Sequence, residues 1–117
     1  MIIRIKNLRL RTITGINDWE RKDLQDVVVN VEIAYDGSAA VESDDIDDSI
    51  DYKAITKRII QEVEPSRFQL LDKLSGHILA ILMEDERVQR ATVEIDKPGA
   101  LRFADSVSIT CSAQRDQ

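Results

Sequence analysis

Apolar residues recur at every second position in four stretches of the chain and at helical spacing in two others. Over residues 2–10, Ile3 and Ile5 share one face and Arg4 and Lys6 the other. At Asn7 the phase flips, so that Leu8 and Leu10 continue the pattern on even numbers, the signature of a β-bulge. The clearest strand spans residues 27–35, with Val27, Val29, Val31, Ile33 and Tyr35 on one face. Gly15 opens the loop GINDWERKDLQD between these two strands, which are expected to pair antiparallel. Two further strands are predicted near the C-terminal end: Ala91, Val93 and Ile95 on one face of the first, and Val107, Ile109 and Cys111 on one face of the second.

Between the two pairs of strands the period becomes helical. Ile55, Ile59 and Val63 lie on one stripe, Asp51 is positioned as an N-cap, and Pro65 stops the run. A second helix places Leu71, Leu74, Ile78 and Ile81 or Leu82 on its buried side. The acidic stretch before the first helix, with Asp44, Asp45, Asp47 and Asp48, reads as a solvated connection. It lacks the ligand spacing of a calcium loop. The order ββααββ describes an α+β domain filling residues 1–117, with two helices on one face of a four-stranded antiparallel sheet. The other face and both sheet edges stay open. Joining sheets edge to edge into a ring would close them; a monomeric two-layer sandwich is the alternative.

Composition narrows the class. Of 117 residues, 43% are hydrophobic and 32% charged, as in a globular protein, and only 4% are aromatic, so the core is aliphatic. A net charge of -6 argues against a nucleic-acid surface while leaving room for a local basic pocket. The single cysteine, Cys111, excludes an internal disulfide framework and fits a reducing compartment. Charges interrupt the apolar runs of MIIRIKNLRL, so neither a signal peptide nor a membrane anchor is expected, and the protein reads as cytoplasmic.

Four positions carry candidate chemistry. Lys97 follows the third strand, and Pro98 biases it toward an extended backbone. Desolvation there would let its ammonium serve as an acid or base, although a strand-end lysine is ordinarily solvated. Tyr52, at a helix start, offers a phenol for proton relay or simply packs. Glu20, beside the only tryptophan, is a loop acid able to hold a substrate hydroxyl or a water. Asp72 opens the second helix, where the helix dipole alone accounts for a carboxylate. His77 is a lone histidine without a nucleophile nearby, and one histidine with one cysteine does not make a structural zinc site. Lys6, Arg9, Arg11 and Arg102 form either a phosphate-binding patch or the solvent side of strands.

The segments TGINDWE, DSIDYKAI, FQLLDKL and VEIDKPGALRFADSVSI together resemble the dihydroneopterin aldolase family, in order and in spacing, over nearly the whole chain. The opening IIRIKNLRLRT and the closing IDKPGALRFADSVSI look most similar to its dihydroneopterin triphosphate 2'-epimerase branch. The resemblance implies a tunnelling fold whose sheets join into a barrel of four subunits, two rings stacking into an octamer. It also implies a reduced-pterin substrate, sites at subunit interfaces, and neither a metal nor an organic cofactor. On that basis Lys97 helps move the proton of the 2'-hydroxyl. Tyr52, contributed by a neighbouring subunit, relays it, and Glu20 stands near the dihydropterin. Leu71 and Asp72 bind substrate; the family usually has glutamate where Asp72 stands, one methylene longer. Arg102 is the candidate for a phosphate contact. Aldol cleavage and C2' epimerisation both remain open, with a silent pterin-binding module as a third reading.

Overall fold

The computed structural model of the chain describes residues 1–115. Its alternating segments form four strands, β1 (Ile2–Thr12), β2 (Gln25–Tyr35), β3 (Val88–Pro98) and β4 (Ser106–Gln114), in one antiparallel sheet ordered as in the chain. The phase flip in β1 is a bulge. Ile5 pairs with Val31 and Leu8 with Val29, so two residues of β1 are passed between successive β2 partners on the buried face. Asn7 takes the left-handed conformation this requires (φ 54). Its N–H donates to Asn30 Oδ1 at 2.8 Å, and Asn30 Nδ2 donates back to Asn7 Oδ1 at 3.3 Å.

The acidic connection differs from a plain loop. It contains a short helix, α1 (Ser38–Ser43), and a 3₁₀ turn at Ile46–Asp48, neither with a buried residue. Asp45 caps the turn by accepting from the Asp47 N–H, which is why short acidic residues suit it. Just beyond, Ile50 is buried and pins the connection to the core.

The longer helices are α2 (Tyr52–Val63) and α3 (Leu71–Met83). Asp51 is the N-cap of α2, its carboxylate accepting from the Lys53 and Ala54 N–H groups. Ile59 and Val63 of α2 and Leu74, Ile78 and Leu82 of α3 pack with the buried faces of β2 and β3 in one core. Cutting any of the larger of these side chains back to alanine costs about 2–5 kcal/mol. Thr12 Oγ1 lies 2.8 Å from the Val63 carbonyl and 2.9 Å from that of Ser66, tying the end of β1 to the end of α2.

The helices cover one sheet face. The other remains polar, with Arg4, Asn30, Glu32, Thr92 and Glu94 around a shallow depression and an Arg4–Glu32 ion pair at 2.9 Å. β1 and β4 each keep an outer edge without a strand partner among the described residues. The β1–β2 and β3–β4 loops meet the sheet at the same end, where Ile16, Trp19, Leu24 and Leu101 are exposed and Phe103 is 96% exposed. No helix among the described residues is long and apolar enough to cross a membrane.

Candidate active site

Along β3 the buried face runs Ala91, Val93, Ile95 and then Lys97. Lys97 therefore does not follow the strand, as its sequence position suggests. It occupies the last inward position of a strand that continues to Pro98, and it is only 8% exposed rather than solvated. A buried ammonium needs a counter-charge. Glu20 supplies it from the β1–β2 loop: its Oε2 accepts a hydrogen bond from Lys97 Nζ, and Glu20 is itself only 6% exposed. Glu20 is thus a buried loop acid and not one of the solvated charges common in loops.

Further donors fix the carboxylate. Glu20 Oε1 accepts from the Asn17 N–H at 3.2 Å and from Asn17 Nδ2 at 2.6 Å. The hydrogen bond from Lys97, aided by the Asn17 donors and the charge of the ammonium, holds the Glu20 carboxyl below its usual range against the opposing effect of burial. Lys97 Nζ also lies 3.4 Å from the Thr14 carbonyl oxygen, which accepts from Gln25 Nε2 at 2.7 Å. Thr14 Oγ1 is buried and has no hydrogen-bond partner among the described residues. A desolvated ammonium and carboxylate in contact at the end of a sheet can give and take protons from a hydroxyl brought within hydrogen-bond reach.

The loop holding Glu20 has a specific backbone. Gly15 adopts φ +115, and a Cβ built on it would stand 2.2 Å from Glu20 Oε2, so the carboxylate rests where only glycine leaves room. The Gly15 N–H donates to the Gln69 carbonyl at 2.9 Å, joining this loop to the segment that enters α3. Leu71 and Asp72 open that helix; Leu71 packs on the core and Asp72 is exposed in the first turn. The α3 N-cap residue, Leu70, makes no side-chain cap hydrogen bond.

The candidate residues are thus partly assembled. Lys97 and Glu20 are in contact, and Leu71 and Asp72 are attached to the same loop. Tyr52 is 53% exposed at the start of α2, beside Lys53 and Thr56. Arg102 is exposed in the β3–β4 loop, its guanidinium 5.6 Å from the Phe103 ring centroid. No hydrogen bond or ion pair among the described residues joins Tyr52, Asp72 or Arg102 to the Lys97–Glu20 pair. Arg11 pairs with Asp26 at 3.2 Å on the strand surface. Three participants escaped the sequence reading: Asn17, Thr14 and Gln25. Asn17 stands three residues before Glu20, a spacing at which a loop amide can fold back onto a carboxylate; Thr14 and Gln25 left no such signal. No three His, Cys, Asp or Glu side chains converge into a metal-holding group among the described residues.

Comparison with known proteins agrees with this arrangement of elements. The family model described as "FolB: Dihydroneopterin aldolase" matches residues 3–112. The dihydroneopterin triphosphate 2'-epimerase of Escherichia coli (strain K12) is 54% identical over 114 residues, covering 97% of this chain and 95% of its own. The dihydroneopterin aldolase of the same strain is 30% identical over 108 residues, covering 92% and 88%. Among solved structures, E. coli dihydroneopterin aldolase in complex with neopterin superposes with a TM-score of 0.91 at 28% identity, covering 97% of this chain and 98% of that one. The chain belongs to the FolB dihydroneopterin aldolase family.

Proposed function

We propose that this protein inverts C2' of the side chain of 7,8-dihydroneopterin triphosphate, giving 7,8-dihydromonapterin triphosphate by retro-aldol and aldol steps. The observation that carries the reading is the buried Lys97–Glu20 pair at the loop end of the sheet, whose loop is joined through Gly15 to the segment entering α3. Epimerisation is preferred to cleavage because identity to the epimerase, 54%, far exceeds the 30% to the aldolase over nearly the same length.

The chemistry requires one proton to leave the 2'-hydroxyl. The O–H electrons form the C2' carbonyl, the C1'–C2' bond breaks, and its electron pair passes into the dihydropterin ring as N5 takes up a proton. Lys97 helps move the hydroxyl proton, and Glu20, which accepts a hydrogen bond from Lys97 Nζ, holds the lysine in place. If the aldehyde fragment turns over and the bond re-forms on its other face, C2' is inverted. If the fragment leaves and C1' is protonated, the outcome is aldol cleavage. The triphosphate sits on the fragment that would leave, so a grip on it favours inversion. Arg102, exposed and without a carboxylate partner among the described residues, is the candidate for that grip. Leu71 and Asp72 bind the pterin at the start of α3, the shorter Asp72 reaching it where the family usually has glutamate.

Tyr52 is 53% exposed and makes no hydrogen bond to the pair among the described residues, which fits a role in a neighbour's site. The outer edges of β1 and β4, without a strand partner among the described residues, and the exposed Trp19, Leu101 and Phe103 at the site end support a homo-oligomer. An octamer of two stacked tetramers, acting in the cytoplasm on a small-molecule pterin, is the proposed form.

The test is chromatography of the products after incubation with dihydroneopterin triphosphate and, separately, with dihydroneopterin. Conversion mainly to the monapterin epimer is expected. Dominant release of glycolaldehyde would make the protein an aldolase, and no turnover of either substrate would reduce it to a binding module.

A further inference from the structure

The residue after Glu20 has no part in the chemistry proposed above, yet its side chain reaches both halves of the site. Arg21 Nη1 donates to the Gly15 carbonyl at 3.1 Å and to the Phe68 carbonyl at 3.4 Å, while its Nη2 donates to the Arg67 carbonyl at 2.5 Å. Arg67 Nη2 returns a hydrogen bond to the Arg21 carbonyl at 2.8 Å. Two cationic side chains thus cross between the β1–β2 loop and the α2–α3 connection, each bound to backbone oxygens of the other segment. No carboxylate pairs with Arg21 among the described residues, so its guanidinium is held by carbonyl dipoles alone.

The consequence is geometric. On one side of Arg21 lies Gly15, against whose α-carbon the Glu20 carboxylate rests. On the other lies the segment 67–69, which leads into α3 and its first-turn residues Leu71 and Asp72. A planar guanidinium with several fixed donors can set the distance between two loops in a way that a point charge cannot. Its three acceptors are all main-chain atoms, so replacing side chains on the facing segments would leave the contact intact.

The geometry points to Arg21 as a positioning residue: it sets the separation between the Lys97–Glu20 pair and the start of α3, and thereby the fit of a pterin spanning the two. The inference rests on the function proposed above for the substrate class only. Misplacement on the scale of 1 Å costs about 10²-fold in rate for well-oriented reactions. Arg21→Ala is therefore expected to lower kcat/KM by about 10- to 100-fold. Arg21→Lys, which keeps the charge but not the fork, should be restored only slightly.

The experiment measures kcat and KM, the dissociation constant of neopterin by pterin fluorescence, and Tm for the unaltered protein, Arg21→Ala and Arg21→Lys. Methylguanidinium is then added to each. The expected result is weaker neopterin binding and slower turnover in Arg21→Ala, with recovery on adding methylguanidinium at concentrations that leave the unaltered protein unaffected. Neopterin affinity and turnover within twofold of the unaltered protein would overturn the inference. So would a loss that tracks a fall in Tm and is not recovered by methylguanidinium, which would make the clamp purely structural. Turnover by the unaltered protein tests the proposed reaction separately. Because neopterin affinity is read without catalysis, the clamp is still tested should that reaction fail.

Discussion

Lys97 and Glu20 are separated by 77 residues in the chain, yet their side chains form a buried ion pair joining the end of β3 to the β1–β2 loop. Neither residue is more than a tenth exposed, so each charge is tolerable only because of the other. That mutual dependence makes the pair a structural element, to which the proposed function adds the transfer of one proton.

Replacing Lys97 by alanine should lower kcat by about 10²- to 10⁴-fold, the usual range for a group that moves a proton. It also leaves Glu20 buried without its cation, a change worth about 3–5 kcal/mol in stability. Steady-state kinetics and urea unfolding of the same variant separate the two effects. An unchanged kcat in folded protein would make the lysine structural alone.

The pair predicts an acid limb in stability. The folded Glu20 carboxyl titrates below its ordinary value near 4.5, chiefly through the Lys97 hydrogen bond. Its contribution is therefore complete above that value and is lost as pH falls through the lower, folded one. Glu20→Gln should unfold more readily at pH 7, and its stability should decline less steeply between pH ~5 and pH ~3. Asp36, Glu62 and Asp85 are also held below their usual range, so some acid lability persists in the variant. Urea midpoints across this interval decide it; parallel curves for the two proteins would contradict the assignment.

Gly15→Ala should be the most damaging conservative change in the loop. It introduces a Cβ 2.2 Å from the Glu20 carboxylate at a residue with φ +115, where side chains are strained. A loss of about 1–3 kcal/mol from the backbone alone is expected, together with loss of turnover as the carboxylate is pushed from Lys97. Thermal unfolding and kcat are the readouts, and near-normal values of both would show that the loop can shift at little cost.

Arg102→Ala is expected to raise KM for dihydroneopterin triphosphate well above any change for unphosphorylated dihydroneopterin. The comparison is made on one preparation with both substrates. Equal effects on the two would remove Arg102 from phosphate binding.

Tyr52→Phe and Lys97→Ala, each expected to be slow alone, should recover turnover when unfolded together and co-refolded. In a mixed oligomer some interfaces join an intact Tyr52 from one chain to an intact Lys97 from another. Activity of the mixture no greater than the mean of the two separate variants would place Tyr52 outside its neighbour's site.

Much of this architecture is written in local periodicity. The bulge at Asn7 follows from a one-residue phase change between Ile5 and Leu8, and the start of α2 from Asp51 ahead of an amphipathic run. Both are interactions over a few residues, which a linear pattern records directly. The extent of the strands is less legible. β3 continues past Asp96 to Pro98 because β4 pairs with it as far as Ser106, a partner that lies across a loop. The helical turns in the acidic connection were hidden for another reason: none of their residues is buried, so no apolar stripe marks them.

The site divides in the same way. Family likeness in the sequence singled out Lys97, Glu20, Tyr52 and the Leu71–Asp72 edge, since residue types and spacing are properties of the chain itself. Whether Lys97 is solvated or buried is not such a property. Its alternation with Ile95 and Val93 would put it inward only if the strand persisted, and an inward lysine is stable only if a carboxylate arrives from elsewhere. The β1–β2 loop delivers Glu20 because Gly15 turns with positive φ, Asn17 folds back onto the carboxylate, and Arg21 binds the loop to the approach to α3. Sequence by itself determined the order of the four strands and the two longer helices, because periodicity and capping act over a few residues. Tertiary structure alone decided that a lysine and a glutamate 77 positions apart share one buried hydrogen bond, because strand register and loop closure bring together residues that no local pattern relates.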